Sequence, residues 1–146
     1  MGYRRVFIIR KDLHLSSGKL AAMVAHCAEA YWTRNLKEVS RKYYEDHSEC
    51  KCEMTVSGDI MDCYIKDSFV KTICQAKNRN NLLKAKMITN ELGLVEGTDF
   101  GEINDKCLTE LTPENEDGTT LVGIWFKPLP DEIAHKISKK YHLYID

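Results

Sequence analysis

Four residues of this 146-residue chain have the types and surroundings needed for acid–base chemistry on an anionic substrate: Lys19, His26, Asp105 and Thr109. The lysine follows Ser16-Ser17-Gly18 at a predicted helix start, where free backbone N–H groups and a partial positive charge favour a phosphate or carboxylate. The histidine lies two turns further along the same face, and histidine is suited to proton transfer near neutral pH. The aspartate and threonine follow a predicted strand, where functional residues often gather in α/β sheets. Each residue also has a structural alternative. Lys19 could be an exposed lysine and His26 a hydrogen-bonded histidine, while Asp105 could form a turn and Thr109 a cap.

Strands and helices are predicted to alternate around these residues. The apolar run Val6–Ile9 predicts a central strand buried on both faces, followed by a helix that begins at Gly18 and is capped by Ser16 or Ser17. No helix is predicted between the last two strands, so they are expected to be antiparallel. Further strands are predicted over Phe69–Ala76, Thr98–Ile103 and Thr119–Phe126, and further helices over Leu36–Asp46, from about Asn80 to Leu92, and after Asp131.

The predicted fold class is therefore α/β: a three-layer α/β/α arrangement with a mixed sheet of about four core strands. Residues 1–146 are expected to form a single domain. An inserted β-hairpin is predicted over about residues 50–66, because apolar residues alternate before the turn signal Ser57-Gly58-Asp59 and Ile60–Ile65 can return as a strand.

The six cysteines are expected to be free thiols, and those of the hairpin to be packing residues. One alternative is a zinc site, although Cys-x-Cys is poor spacing for a structural one. Its candidate ligands are His47, Cys50, Cys52 and Cys63. Another alternative is that Cys107 acts as a nucleophile with His26.

Composition limits the classes of protein that remain. The Val6–Ile9 run is too short for a signal peptide or a membrane span, which predicts a cytoplasmic protein without a membrane partner. The net charge is −1, but residues 1–44 carry nine Lys or Arg against three acids, and residues 64–90 carry six against one. These two basic blocks either form one face for a polyanion or are ordinary solvated charges.

Segments in both halves of the chain resemble the archaeal and eukaryotic type of peptidyl-tRNA hydrolase. Val6–Leu13 followed by Gly18–Ala28 is similar to that family's strand, its Arg-x-Asp-Leu loop and its Gly-Lys-x-Ala-Ala-Gln-x-x-His-Ala helix. Ile103–Leu111 is similar to the family's Ile-Arg-Asp-Ala-Gly-Arg-Thr-Gln-Ile segment, and Leu121–Pro130 to its closing strand and Pro-x-Pro turn. The resemblance covers about three-quarters of the chain.

The resemblance implies hydrolysis of the ester that joins a peptide, or an N-blocked amino acid, to the 3′ end of tRNA. In this interpretation Lys19 stabilises a phosphate or the oxyanion, Asp105 or His26 activates water, and Thr109 binds the substrate. No metal or cofactor is required, tRNA is the partner, and homodimer formation is left open. The implied substrate-binding residues are Arg10, Ser17, Gly18, Met23 and Leu108.

Four departures from the family pattern define the alternative function. The family's first glutamine is Met23 here, and its glycine, arginine and second glutamine are Cys107, Leu108 and Glu110. The loss of one neutral polar group at Met23 and of the arginine at Leu108 motivates the alternative, a non-catalytic relative that binds tRNA, another RNA or a protein partner.

Overall fold

A six-stranded mixed sheet forms the centre of the protein, as seen in a computed structural model that describes residues 2–38, 41–43 and 48–145. Its strands span Tyr3–Arg10 (β1), Val70–Ala76 (β4), Phe100–Asp105 (β5), Thr120–Phe126 (β6), Leu129–Pro130 (β7) and His142–Leu143 (β8). They lie in the order β5-β6-β1-β4-β8, and the short β7 pairs with one end of β1. Only the β1–β4 pair is parallel among these strands.

Helices cover both faces of this sheet. The long α1 spans Ser17–Glu38, and α2, α3 and α4 span Arg79–Leu83, Ala85–Glu91 and Asp131–Ser138. Alternate residues of β1 separate the two sides of the core: Phe7 and Ile9 pack with α1, whereas Val6 and Ile8 pack with the other helices. The predicted α/β class and three-layer arrangement are thus confirmed, as is the antiparallel pairing of β5 with β6.

The predicted hairpin is wrong in its second strand. Cys50–Cys52 is a strand (β3), but it pairs with Arg41–Tyr43 (β2). Ile60–Ser68 is a π-helix. Its buried Ile60 and Tyr64 lie four residues apart, on one side of the helical segment, and pack against Tyr3. That spacing suits a helix, whereas the alternation that predicts a hairpin belongs to the residues before Ser57.

The predicted second helix, Leu36–Asp46, is also wrong where it is described. Residues 36–38 continue α1, and Arg41–Tyr43 is strand β2. Residues 39, 40 and 44–47, which include the zinc candidate His47, lie outside the described residues. No helix in the described ranges is long and apolar enough to cross a bilayer.

A buried arginine fastens α1 to the sheet. Arg5 is fully buried and donates hydrogen bonds to the carbonyls of Phe126 (2.9 Å), Ala28 (2.6 Å) and Cys27 (3.1 Å). Its guanidinium lies 4.7 Å from the ring centre of Phe7. Burial lowers the pKa of Arg5 to about 10. The backbone carbonyls and ring face replace much of the hydration that this cation loses.

Candidate active site

Strand direction brings the predicted chemical groups together. β1 and β5 both run antiparallel to β6, so their carboxyl ends lie at the same edge of the sheet. β1 continues through a loop into α1, and β5 ends at Asp105. At the start of α1, Ser16 Oγ accepts from Lys19 N at 3.3 Å, as one of the two predicted caps. The start of α1 and the end of β5 therefore lie close together at this edge of the sheet.

Lys19 and Asp105 form an ion pair at this edge of the sheet. Lys19 Nζ lies 3.0 Å from Asp105 Oδ1 and donates to Thr109 Oγ1 at 3.1 Å. Their side chains are only 13% and 10% exposed, so solvent screens the pair less than a surface ion pair. An ammonium group has three protons, and these two partners take two of them within the described part of the chain.

Asp105 uses its second oxygen for a turn. Asp105 Oδ2 accepts from the backbone N–H of Cys107 at 2.9 Å, and Cys107 has a left-handed backbone with φ +58°. Both carboxylate oxygens therefore accept a hydrogen bond in the described structure. This geometry holds the aspartate in place against Lys19.

An open cleft of about 430 Å³ contains these groups. All four predicted catalytic residues line this cleft: Lys19, His26, Asp105 and Thr109. The full lining is Lys19, His26, Asn104, Asp105, Lys106, Leu108 and Thr109. His26 is exposed, and Leu108 is 84% exposed, which leaves an apolar surface beside the ion pair.

Ser17 and Gly18 form the exposed first turn of α1 beside this cleft. A Cβ added at Gly18 would meet no atom within 4 Å, so the turn is uncovered. Cys107 does not line the cleft in which His26 lies, and its Sγ is 3.4 Å from Thr120 Oγ1. The structure therefore does not bring together the Cys107–His26 pair of the nucleophile alternative.

Two predicted substrate-binding residues are buried instead. Arg10 is 3% exposed, and its guanidinium is bound by the Asp12 and Glu114 carboxylates and by the carbonyl of Leu121, at 2.9 Å in the last case. Met23 is 1% exposed and belongs to the apolar cluster under α1, with Cys27 as a neighbour. The position of these side chains does not support a direct contact with substrate.

The burial of Met23 predicts the effect of restoring the family residue. Met23→Gln should lower the free energy of unfolding by about 1–3 kcal/mol, because an amide would be placed among apolar side chains without a partner. Met23→Leu keeps the apolar volume and should change it by less than about 1.5 kcal/mol. Urea denaturation of both variants measures the difference. If Met23→Gln left the free energy of unfolding unchanged and made turnover faster, residue 23 would reach the substrate.

Sequence reasoning missed the partner of the loop before α1. The Glu110 carboxylate accepts from Ser16 N at 3.0 Å and from Ser16 Oγ at 2.6 Å. These hydrogen bonds, and then the nearby Lys19, keep the pKa of Glu110 below its ordinary value. The two residues are 94 positions apart, and no local pattern could have connected them.

Two of the hairpin cysteines differ from their predicted packing role, because Cys50 and Cys52 are exposed. The half-buried Cys63 packs against the cluster of Tyr3, Ile60 and Tyr64, as expected. Within the described ranges, no three His, Cys, Asp or Glu side chains cluster as metal ligands. The basic blocks also present less positive surface than their composition indicates, since Arg5 and Arg10 are buried.

Fold and site together define a class: an α/β protein with a shielded lysine–aspartate pair at the carboxyl edge of its sheet. The chain belongs to the family described as peptidyl-tRNA hydrolase PTH2, whose model matches residues 3–144. This result confirms the family that the sequence resembles.

Curated relatives carry the same description. A peptidyl-tRNA hydrolase of Thermococcus onnurineus is 28% identical over 136 residues, which cover 93% of this chain and 92% of that protein. The peptidyl-tRNA hydrolase of Thermoplasma acidophilum is 23% identical over 140 residues, covering 96% and 97% of the two chains. A solved structure of an Agrobacterium protein of unknown function matches the fold with a TM-score of 0.50 at 11% identity, covering 99% of each chain.

Proposed function

We propose that this chain hydrolyses the ester between a peptide, or an N-blocked amino acid, and the 3′ end of tRNA. The observation that carries the proposal is the shielded contact of Lys19 with Asp105 and Thr109, in a cleft open to ligands. Ester hydrolysis needs an activated water and a group that stabilises the developing oxyanion. The lysine supplies the second of these requirements, since its charge is desolvated before the substrate arrives.

The cleft supplies a candidate for each remaining role. His26 is the proposed base because its side chain is exposed in the cleft, whereas Asp105 is paired with Lys19. Asp105 orients Lys19, and Thr109 holds the substrate. Lys106 and the uncovered turn at Gly18 face incoming phosphate groups, and such contacts give affinity for tRNA without reading its sequence. Leu108 offers an apolar contact for the peptide or a base.

Turnover of a defined substrate tests the proposal. N-acetylaminoacyl-tRNA should be deacylated by catalytic amounts of the chain, whereas the same tRNA with a free amino group provides the control for selectivity. Binding without turnover would instead favour the alternative of a non-catalytic relative. The proposed location is the cytoplasm, where tRNA is used in translation, and sedimentation of the purified chain decides whether it forms a homodimer.

Glu110 should weaken the binding of this substrate. Its carboxylate lies on Ser16 next to the lysine, where a tRNA phosphate is expected to approach. Glu110→Gln should lower KM by roughly two- to five-fold at low salt, as for one screened charge, and leave kcat unchanged. The effect should shrink as salt rises.

Glu132→Gln is the matched control, because this exposed carboxylate lies on α4, on the opposite face of the sheet. A KM for Glu110→Gln that equals the natural value at low salt would remove the residue from the binding surface.

A further inference from the structure

The strand β3 carries two exposed cysteines that the proposed reaction does not use. Cys50 and Cys52 are two residues apart on a strand, so their side chains lie on the same side. Their Sγ atoms are 3.6 Å apart. Among the described residues no other two thiols lie in such contact, and Cys27 and Cys74 are buried.

The other thiols are poorly placed for exchange with solutes. Burial raises the pKa of Cys27 to about 12 and that of Cys74 to about 11, which keeps both as unreactive thiols. Cys63 and Cys107 are half-buried and lie on separate segments. Cys50 and Cys52 are therefore both accessible to solutes and close to each other.

We propose that Cys50 and Cys52 form a thiol–disulfide exchange site that reacts with a low-molecular-weight disulfide. One cysteine, as its thiolate, attacks a sulfur of the external disulfide, forms a mixed disulfide and releases one small thiol. The second thiolate then attacks the protein sulfur of that mixed disulfide and expels the other small thiol. The protein loses two protons and two electrons, and the external disulfide takes up both and is reduced to two thiols.

Strand geometry makes this bond readily reversible. Two residues of a strand span about 6.4–6.8 Å, close to the upper limit of about 6.8 Å between the Cα atoms of a disulfide. The bond therefore closes at the long end of this range, and any shortening of β3 toward the usual span works against its pairing with β2, in which Cys50 lies opposite Tyr43 and Cys52 opposite Arg41. A bond formed under such constraint is easily reduced, which is typical of exchange sites and not of structural bridges.

Oxidised glutathione is the probe for this site. The reduced full chain, at low micromolar concentration, is incubated with the probe, blocked with iodoacetamide and analysed by mass spectrometry. We expect a loss of two hydrogens located in the peptide that holds both cysteines, while Cys27 and Cys74 remain reduced. Excess reduced glutathione should restore both thiols.

Cys50→Ser and Cys52→Ser supply the matched controls, since both side chains are exposed and a hydroxyl is tolerated there. Each variant should retain one glutathione on its remaining cysteine. In the natural chain that adduct should be at least about ten-fold less populated, because the neighbouring thiol has a high effective concentration. Equal adduct levels in the natural and single-serine chains, full alkylation of both cysteines after the probe, or disulfide-linked dimers in place of the intrachain bond would each overturn the proposal.

Discussion

Lys19→Ala should reduce hydrolysis of N-acetylaminoacyl-tRNA to the spontaneous rate, a loss of at least about a thousand-fold. The lysine is the one cation that contacts both Asp105 and Thr109 in the described structure, and its side chain is 13% exposed. Its charge therefore acts on a developing oxyanion with little screening from water. Initial rates under single-turnover conditions measure the chemical step apart from tRNA release.

Lys136→Ala is the control for this experiment, because it removes an exposed lysine of α4 from the opposite face of the sheet. Removing Lys19 leaves the shielded Asp105 without its cation, so thermal unfolding must accompany the kinetics. If the single variant is unstable, Lys19→Ala combined with Asp105→Asn leaves no unpaired charge. A natural rate in either chain would show that the proposed site is wrong.

Arg10→Met should lower the free energy of unfolding by about 3 kcal/mol, the lower end of the range for breaking a buried ion pair. The side chain of Arg10 is 3% exposed, whereas those of Asp12 and Glu114 are 34% and 40% exposed. The two carboxylates would therefore still be partly hydrated after the arginine is removed. Arg4→Met is the matched control: Arg4 and Asp131 are 39% and 45% exposed, and such pairs contribute less than about 1 kcal/mol.

The same ion pair determines a pH dependence. The hydrogen bond from Arg10 lowers the pKa of Glu114 in the folded chain, so its contribution to stability is complete above the ordinary glutamate pKa. That contribution is lost as the pH falls through the lowered pKa. Urea denaturation at pH 7 and in mild acid should show this loss in the natural chain and a smaller one in Arg10→Met. Parallel pH profiles would contradict the assignment of the pair.

Local patterns predicted the long strands of the sheet and the start of α1 well because both depend on residues close in sequence. The run Val6–Ile9 predicted a buried strand, and the segment around Ser16 predicted the start of a helix. Lys19 and Asp105 could be connected through the direction of their strands. The burial of Arg10 could not be predicted from local patterns, because it depends on partners elsewhere in the chain. Arg10 is buried by Glu114, 104 residues away.

A different signal for Met23 was present in the sequence. Met23, Cys27 and Tyr31 recur every four residues and form the buried seam of α1. The family resemblance gave position 23 a polar role, and this role concealed the simpler apolar spacing. At the second strand of the hairpin, Ile60–Ile65 was likewise judged by a neighbouring alternation instead of by the four-residue interval between Ile60 and Tyr64.

The position of β1 in the middle of the sheet has a consequence during synthesis. β1 leaves the ribosome before β6, yet its Phe7 pairs with Trp125, which follows 118 residues later. At about 5–20 residues per second, the nascent chain carries the buried run of β1 without that partner for roughly 6–24 s. During this interval β4 can pair with one edge of β1, and the other edge remains open to aggregation or to chaperones until the last fifth of the chain emerges.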